Sequence, residues 1–243
     1  MLTKILVSKI FKNHHHNNDF ITKIKKFLLN FKEKMFQYFS NIEIFNIFKS
    51  NKRILLFLFE EQIIEIDEYI VNKMLSDKYL NDKYSEYFSL EIKQFLDKEC
   101  ISDYEKYNWF NDFVKNLPEN FEEKRITGEN DSYICELIRK DSVIEFIVYM
   151  NKTDLPINSF IQSSIYETNQ YLLKNVKTTI IEYAGFFGSI QIFRYLLTNG
   201  ADLSPDLWFY VIHGRNPELI HLLEENEVEP KDKSYLECFK ESI

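Results

Sequence analysis

Between Phe20 and Phe39, Phe20, Ile24, Phe27, Leu28, Phe31, Met35 and Phe39 recur every few residues. Lys23, Lys26, Asn30, Glu33, Lys34 and Gln37 fall in the gaps. At about 100° per residue this spacing gives one apolar stripe and predicts a helix over 20–39. The same reading predicts a helix pair over 42–48 and 52–62, hinged at Ser50 and Asn51, and further helices over 67–75, 89–97 and 103–116. Ser102 followed by Glu105 has the spacing of a capping box for the last of these. Leu117 and Pro118 begin a polar stretch that runs to Asp131 and contains Gly128. It predicts a linker at 118–131 between an N-terminal helical region, 1–117, and a C-terminal region, 132–243.

The C-terminal region carries the stronger pattern. Tyr133 to Lys140 predicts a first helix, and Ser142 with Glu145 predicts a capping box leading into Phe146, Ile147, Tyr149 and Met150. An insert follows at 151–177, with Pro156 and a short helix expected near Tyr166–Lys174. From Thr179 a first helix would bury Ile181, Ala184 and Gly185. Gly188 suits a tight turn, because glycine takes positive φ without strain. Ser189 is placed to cap a second helix with Ile192, Phe193, Leu196 and Leu197 on one face. Gly200 stands where a helix end favours left-handed geometry. A second unit starts at Ser204, Pro205 and Asp206, with Trp208, Val211 and Ile212 in the places of Ile181, Ala184 and Gly185. Asn216, Pro217 and Glu218 open its second helix, which carries Leu219, Ile220, Leu222 and Leu223.

This short–long helix pair followed by a loop resembles an ankyrin repeat. Both alanines of the chain, Ala184 and Ala201, and three of its five glycines, Gly185, Gly188 and Gly200, fall on small-residue positions of that pattern. Together with Phe45 to Glu61 and Glu129 to Cys135, the sequence is similar to a large ankyrin-like family of unknown function found in trichomonad protists. The resemblance covers the chain from about Phe20 onward. It implies an all-α solenoid of stacked antiparallel helix pairs, ankyrin-like repeats with shortened or irregular loops, and it implies protein interaction. The family offers no catalytic residues to carry over. Two departures stand out: the usual Thr-Pro-Leu-His start is Thr179, Ile180, Ile181 and Glu182, and no polar C-terminal cap is evident before Ile243.

Composition narrows the function. Apolar residues at 45% and charged residues at 28% fit a folded domain, and five Gly and five Pro do not suit a many-turned β-sandwich. No run approaches the roughly 18–20 apolar residues of a membrane span. Lys4 and Lys9 inside Met1–Phe11 argue against a signal peptide. Cys100, Cys135 and Cys238 lack a C-x-x-C pair, so the expectation is a reducing, cytoplasmic setting without cofactor or metal. The net charge of −8 is uneven: residues 1–60 hold eleven Lys/Arg against four Asp/Glu.

Motifs for catalysis are missing from the sequence. His14, His15 and His16 read as a polar loop, since adjacent histidines rarely converge on a metal. Glu60 with Glu61 and Glu224 with Glu225 diverge along a helix. The expectation is therefore a non-enzymatic, protein-binding scaffold with an unidentified protein partner and no small-molecule substrate. Tyr183, Phe186, Phe187, Phe209, Tyr210 and His213, pointing away from the small-residue face, form the candidate partner stripe, with burial against neighbouring helices as the other reading. Gly214 falls on the same side. The 20–39 helix either closes the N-terminal end of the solenoid or binds an anionic membrane or nucleic acid.

Overall fold

A computed structural model describes residues 18–76, 84–98, 108–174, 177–231, 235–236 and 238–239. The histidine triplet, Cys100 and the expected Ser102 capping box lie outside the described residues. The described fold is all-α, with sixteen helices and no strand. It divides into two compact units, one within Met1–Glu129 and Ile165–Lys174, the other within Asn130–Ser164 and Asn175–Ile243.

In the first unit, the stretch expected as a single helix over 20–39 is two, α1 (Asn18–Asn30) and α2 (Lys32–Tyr38), meeting at Phe31. The following helices are α3 (Asn41–Phe48), α4 (Lys52–Glu60), α5 (Glu68–Ser76), α6 (Tyr84–Tyr87), α7 (Ser89–Lys98), α8 (Asn108–Lys115) and α9 (Phe121–Thr127). Ser40 and Glu43 form a capping box at the start of α3, and the Asn51 side chain accepts from the Ile54 N–H at the start of α4. α3 packs on α4 and α5, and α6 lies against α5, α7 and α8. Its core is made of large side chains, among them Phe45, Phe48, Leu55, Phe57, Tyr87, Phe88 and Phe110.

Residues 118–131 differ from a polar linker: they hold α9, whose Phe121 and Arg125 are buried. Gly128 closes α9 at φ 69°, and its carbonyl accepts from both the Thr168 N–H and the Thr168 hydroxyl, at 3.1 and 2.7 Å. Thr168 belongs to the expected insert. Thus the part of that insert ending in α12 (Gln170–Lys174) packs within the first unit, whereas residues 151–164 stay with the second.

The second unit contains three helix pairs: α10 (Tyr133–Arg139) with α11 (Val143–Thr153), α13 (Ile180–Phe187) with α14 (Ile190–Thr198), and α15 (Leu207–Gly214) with α16 (Pro217–Glu225). α13 packs against α10 and α15 in one row; α14 packs against α11 and α16 in another. Within each pair the turn carries a left-handed residue: Asp141, Gly188 and Arg215. The second helices end the same way, at Asp154, Gly200 and Glu227. The next residue then donates its N–H to a carbonyl five positions back, Leu155 to Met150, Ala201 to Leu196 and Val228 to Leu223. This is a Schellman closure with an apolar residue after the left-handed one. α4 of the first unit ends likewise, with Gln62 left-handed and Ile63 donating to Leu58.

The helix starts depart from the sequence expectation in three places. Ser142 and Ser189 make no side-chain cap bond, and Ser204, expected to cap the next helix, lies before a turn that leaves Asp206 at the N-cap position without one. At α14 the capping acceptor comes from the preceding turn, where the Asp141 carboxylate takes the Gln191 and Ile192 N–H groups at 3.0 Å each. Ser189 instead donates to the Ile138 carbonyl at 2.6 Å. α15 begins at Leu207, after a turn through Ser204, Pro205 and Asp206. A true capping box forms at Thr179 and Glu182.

Candidate functional site

The expected aromatic stripe sits on α13 and α15, whose neighbours decide its exposure. Tyr183, Phe186 and Tyr210 are buried, while Phe187, Phe209 and His213 are half-buried. The Tyr183 hydroxyl accepts from Arg139 Nη1 at 2.9 Å, and the same guanidinium lies 5.9 Å from the Phe187 ring centre. Phe186 is flanked by Phe187, Tyr210 and His213, with ring centres 5.4, 6.4 and 5.2 Å away. Tyr210 also meets the Thr178 hydroxyl at 3.5 Å. Tyr183, Phe186 and Tyr210 are therefore core, which is the burial reading of the stripe, and Phe187, Phe209 and His213 stay partly open. A helical wheel assigns one buried face to a helix. The middle helix of a row has neighbours on three sides, α10, α14 and α15, so six of the eight residues of α13 are buried.

Gly214 needs correction. It lies not on an outer face but at the closest approach of α13 and α15. A Cβ there would overlap the Gly185 carbonyl oxygen, and one on Gly188 would sit 2.6 Å from the Gly214 carbonyl oxygen. Gly185 completes the contact, its would-be Cβ 3.2 Å from Val211 Cγ2. Two helix backbones come this close only where no side chain intervenes.

The second unit exposes apolar side chains at Phe160, at Tyr235, Leu236 and Phe239, and on its first pair. On α11, Ile144 and Val148 are 72% and 60% exposed, one helical turn apart and opposite the buried Phe146 and Met150. Tyr133 of α10 is 52% exposed and stacks edge-on against Tyr149 at 5.4 Å. The sequence held a trace of this: Val143, Ile144, Phe146, Ile147 and Val148 are apolar all round the helix, more than one buried stripe requires.

Titratable clusters in the first unit are structural in their contacts. Lys52, 1% exposed, points its ammonium at the Ile165 and Glu167 carbonyls, 3.4 and 3.5 Å away, between the Tyr84 and Tyr87 rings at 5.4 and 5.3 Å. Arg125 forms a two-pronged pair with Glu91 at 2.7 and 2.9 Å and donates to the Tyr87 carbonyl at 3.0 Å. Burial pushes the Tyr84 and Tyr87 phenols well above their usual range, so both remain donors, to the Lys49 and Arg125 carbonyls. Burial also raises the Glu60 carboxyl and lowers the Lys25 ammonium, each effect opposed by the attraction between them. His221 is exposed beside Glu224 at 3.2 Å. Among the described residues no three His, Cys, Asp or Glu side chains are grouped to hold a metal. No described helix is long and apolar enough to cross a membrane. Comparison with protein-family models, with curated proteins and with solved structures finds no match for this chain.

Proposed function

We propose that the chain is a non-catalytic, cytoplasmic protein-binding scaffold, a solenoid of ankyrin-like helix pairs. The observation that carries the reading is the recurrence in the second unit of one turn geometry at successive pairs, with first helices in one row and second helices in another. Arrays of this kind make elongated surfaces in which each pair contacts only its neighbours. The surface assigned to the partner is the exposed Ile144 and Val148 of α11 with Tyr133 of the same pair, in place of the buried Tyr183, Phe186 and Tyr210. Its chemistry fits an apolar segment of a partner protein, because branched aliphatic side chains and an aromatic rim bury area without charge desolvation.

The test is co-purification from the native cell with wild-type chain and with Ile144→Glu/Val148→Glu. Both positions face solvent, so the variant should keep its melting temperature. The expected result is a protein that accompanies the wild type in fixed stoichiometry and is lost from the variant. A partner kept by the folded variant refutes this surface, and the absence of any protein partner refutes the scaffold.

A further inference from the structure

The N-terminal helices leave apolar side chains outside that the stripe pattern would put inside. Ile24 and Leu28 of α1 are buried, and Met35 and Phe39 pack against the same core. Phe27 and Phe31, expected on that stripe, are exposed, the former by 50%. At about 100° per residue Ile24, Leu28, Met35 and Phe39 lie at the centre of the buried face, and Phe27 and Phe31 fall at its edge. What results is a seam of spacing four, four, three, four: Lys23, Phe27, Phe31, Lys34 and Tyr38. Tyr38 is 69% exposed. The Phe27 and Phe31 ring centres are 4.5 Å apart, and the Lys34 ammonium lies 5.7 Å from the Phe31 ring centre. Lys26 is exposed nearby, and Leu29 and Phe36 are exposed on the other flank.

Charge supports one kind of occupant. Residues 18–39 carry five lysines against Asp19 and Glu33. Lys32 is engaged with the Glu61 carbonyl and Lys25 lies over the Phe57 ring, which leaves Lys23, Lys26 and Lys34 facing outward. Exposed rings among outward lysines are the chemistry of a surface that is anionic at its plane and apolar just beneath. A nucleic acid would use the lysines equally well, but it would need open ring faces for its bases. Here the two central rings pack on each other, and Lys34 lies over one of them. We propose that the Lys23–Tyr38 seam of α1 and α2 docks the chain on anionic lipid bilayers, with Phe27 and Phe31 entering the interface and the lysines meeting the headgroups. This surface is independent of the protein-binding strip on α11.

The full chain is to be sedimented with phosphatidylcholine vesicles, with and without phosphatidylserine, at physiological salt. Binding is expected only with phosphatidylserine. Phe27→Ser/Phe31→Ser and Lys23→Gln/Lys34→Gln should each weaken it by about tenfold, since burial of apolar rings and lysine–headgroup attraction act together. Because Phe31 sits at the break, Phe27→Ser/Tyr38→Ser serves as a second aromatic variant, and melting temperature reports folding for all. A wild type that ignores the vesicles overturns the proposal. So does a folded aromatic variant that binds like wild type, or polyuridylate RNA captured through the lysines alone.

Discussion

The two units solve the packing of short helices in opposite ways. The second holds both alanines and four of the five glycines, and its rows close until Gly185, Gly188 and Gly214 bring backbone against backbone. The first has Gly128 and no alanine, and Phe, Tyr, Ile and Leu side chains fill its core. Bulky side chains leave gaps that are not all apolar. Lys52 and Arg125 occupy two of them, Lys52 held by backbone carbonyls and tyrosine rings and Arg125 by the Glu91 carboxylate and the Tyr87 carbonyl. Small residues thus give the second unit a repeating geometry. Large ones give the first a core that depends on individual polar contacts.

The sharpest way to break this contrast is Gly214→Ala. The added methyl meets the Gly185 carbonyl, which cannot rotate away, so α15 must shift. The expected loss is about 3 kcal/mol in the second unit, at the upper end for overpacking. Amide exchange should show lost protection in α13–α16 while α3–α7 keep theirs. Unchanged exchange across α13 and α15 would mean the backbones are not in contact.

The counterpart in the first unit is Arg125→Met. Removing one partner of a buried pair strands Glu91 and should cost about 3 kcal/mol by denaturant titration. Adding Glu91→Leu should recover much of the loss, because two apolar residues leave no uncompensated charge. If the double variant is no better than the single one, the ion pair is not what the first unit depends on.

A smaller effect isolates backbone conformation from packing. Nothing lies within 4 Å of a Cβ built on Gly200, yet its φ is +83°. Gly200→Val should therefore cost about 1–2 kcal/mol through the left-handed backbone alone. Gly200→Asn should cost far less, since Gln62, Asp154 and Glu227 hold the same turn position in the other pairs. Equal melting temperatures for the two variants would separate the turn from the repeat geometry.

The smallest expected effect is electrostatic. Burial raises the Glu60 carboxyl, so the folded first unit favours its protonated form over the unfolded chain. Its contribution is therefore most favourable at low pH and is lost as pH rises from the ordinary carboxylate range through the raised value. Glu60→Gln should match or exceed wild type at neutral pH by a few tenths of a kcal/mol, because solvent screens this only partly covered side chain. The difference should vanish in acid. A wild type that gains on the variant as pH rises would reverse the sign and place the Lys25 attraction above burial.

Periodicity and turn chemistry in the sequence determined the helices over 42–48, 67–75 and 89–97, the pairs around Gly188 and Asn216, and the left-handed role of Gly200, because these depend on neighbours a few positions away. Small residues were legible for the same reason: two alanines in a chain of 243 are conspicuous. Tertiary structure alone decided how many faces each helix buries. Tyr183, Phe186 and Tyr210 lie opposite one apolar face and are still core, since α13 has row neighbours on both sides and Tyr210 meets Phe186 from α15. Phe27 and Phe31 share an apolar stripe in the sequence and are exposed, since the core covers only the side of it that carries Ile24 and Leu28. It also assigned Thr168 to the Gly128 carbonyl and Asp141 to the start of α14, across separations of 40 and 50 or more residues. Local spacing specifies which side chains share a face. What covers that face is set by chain distant in sequence.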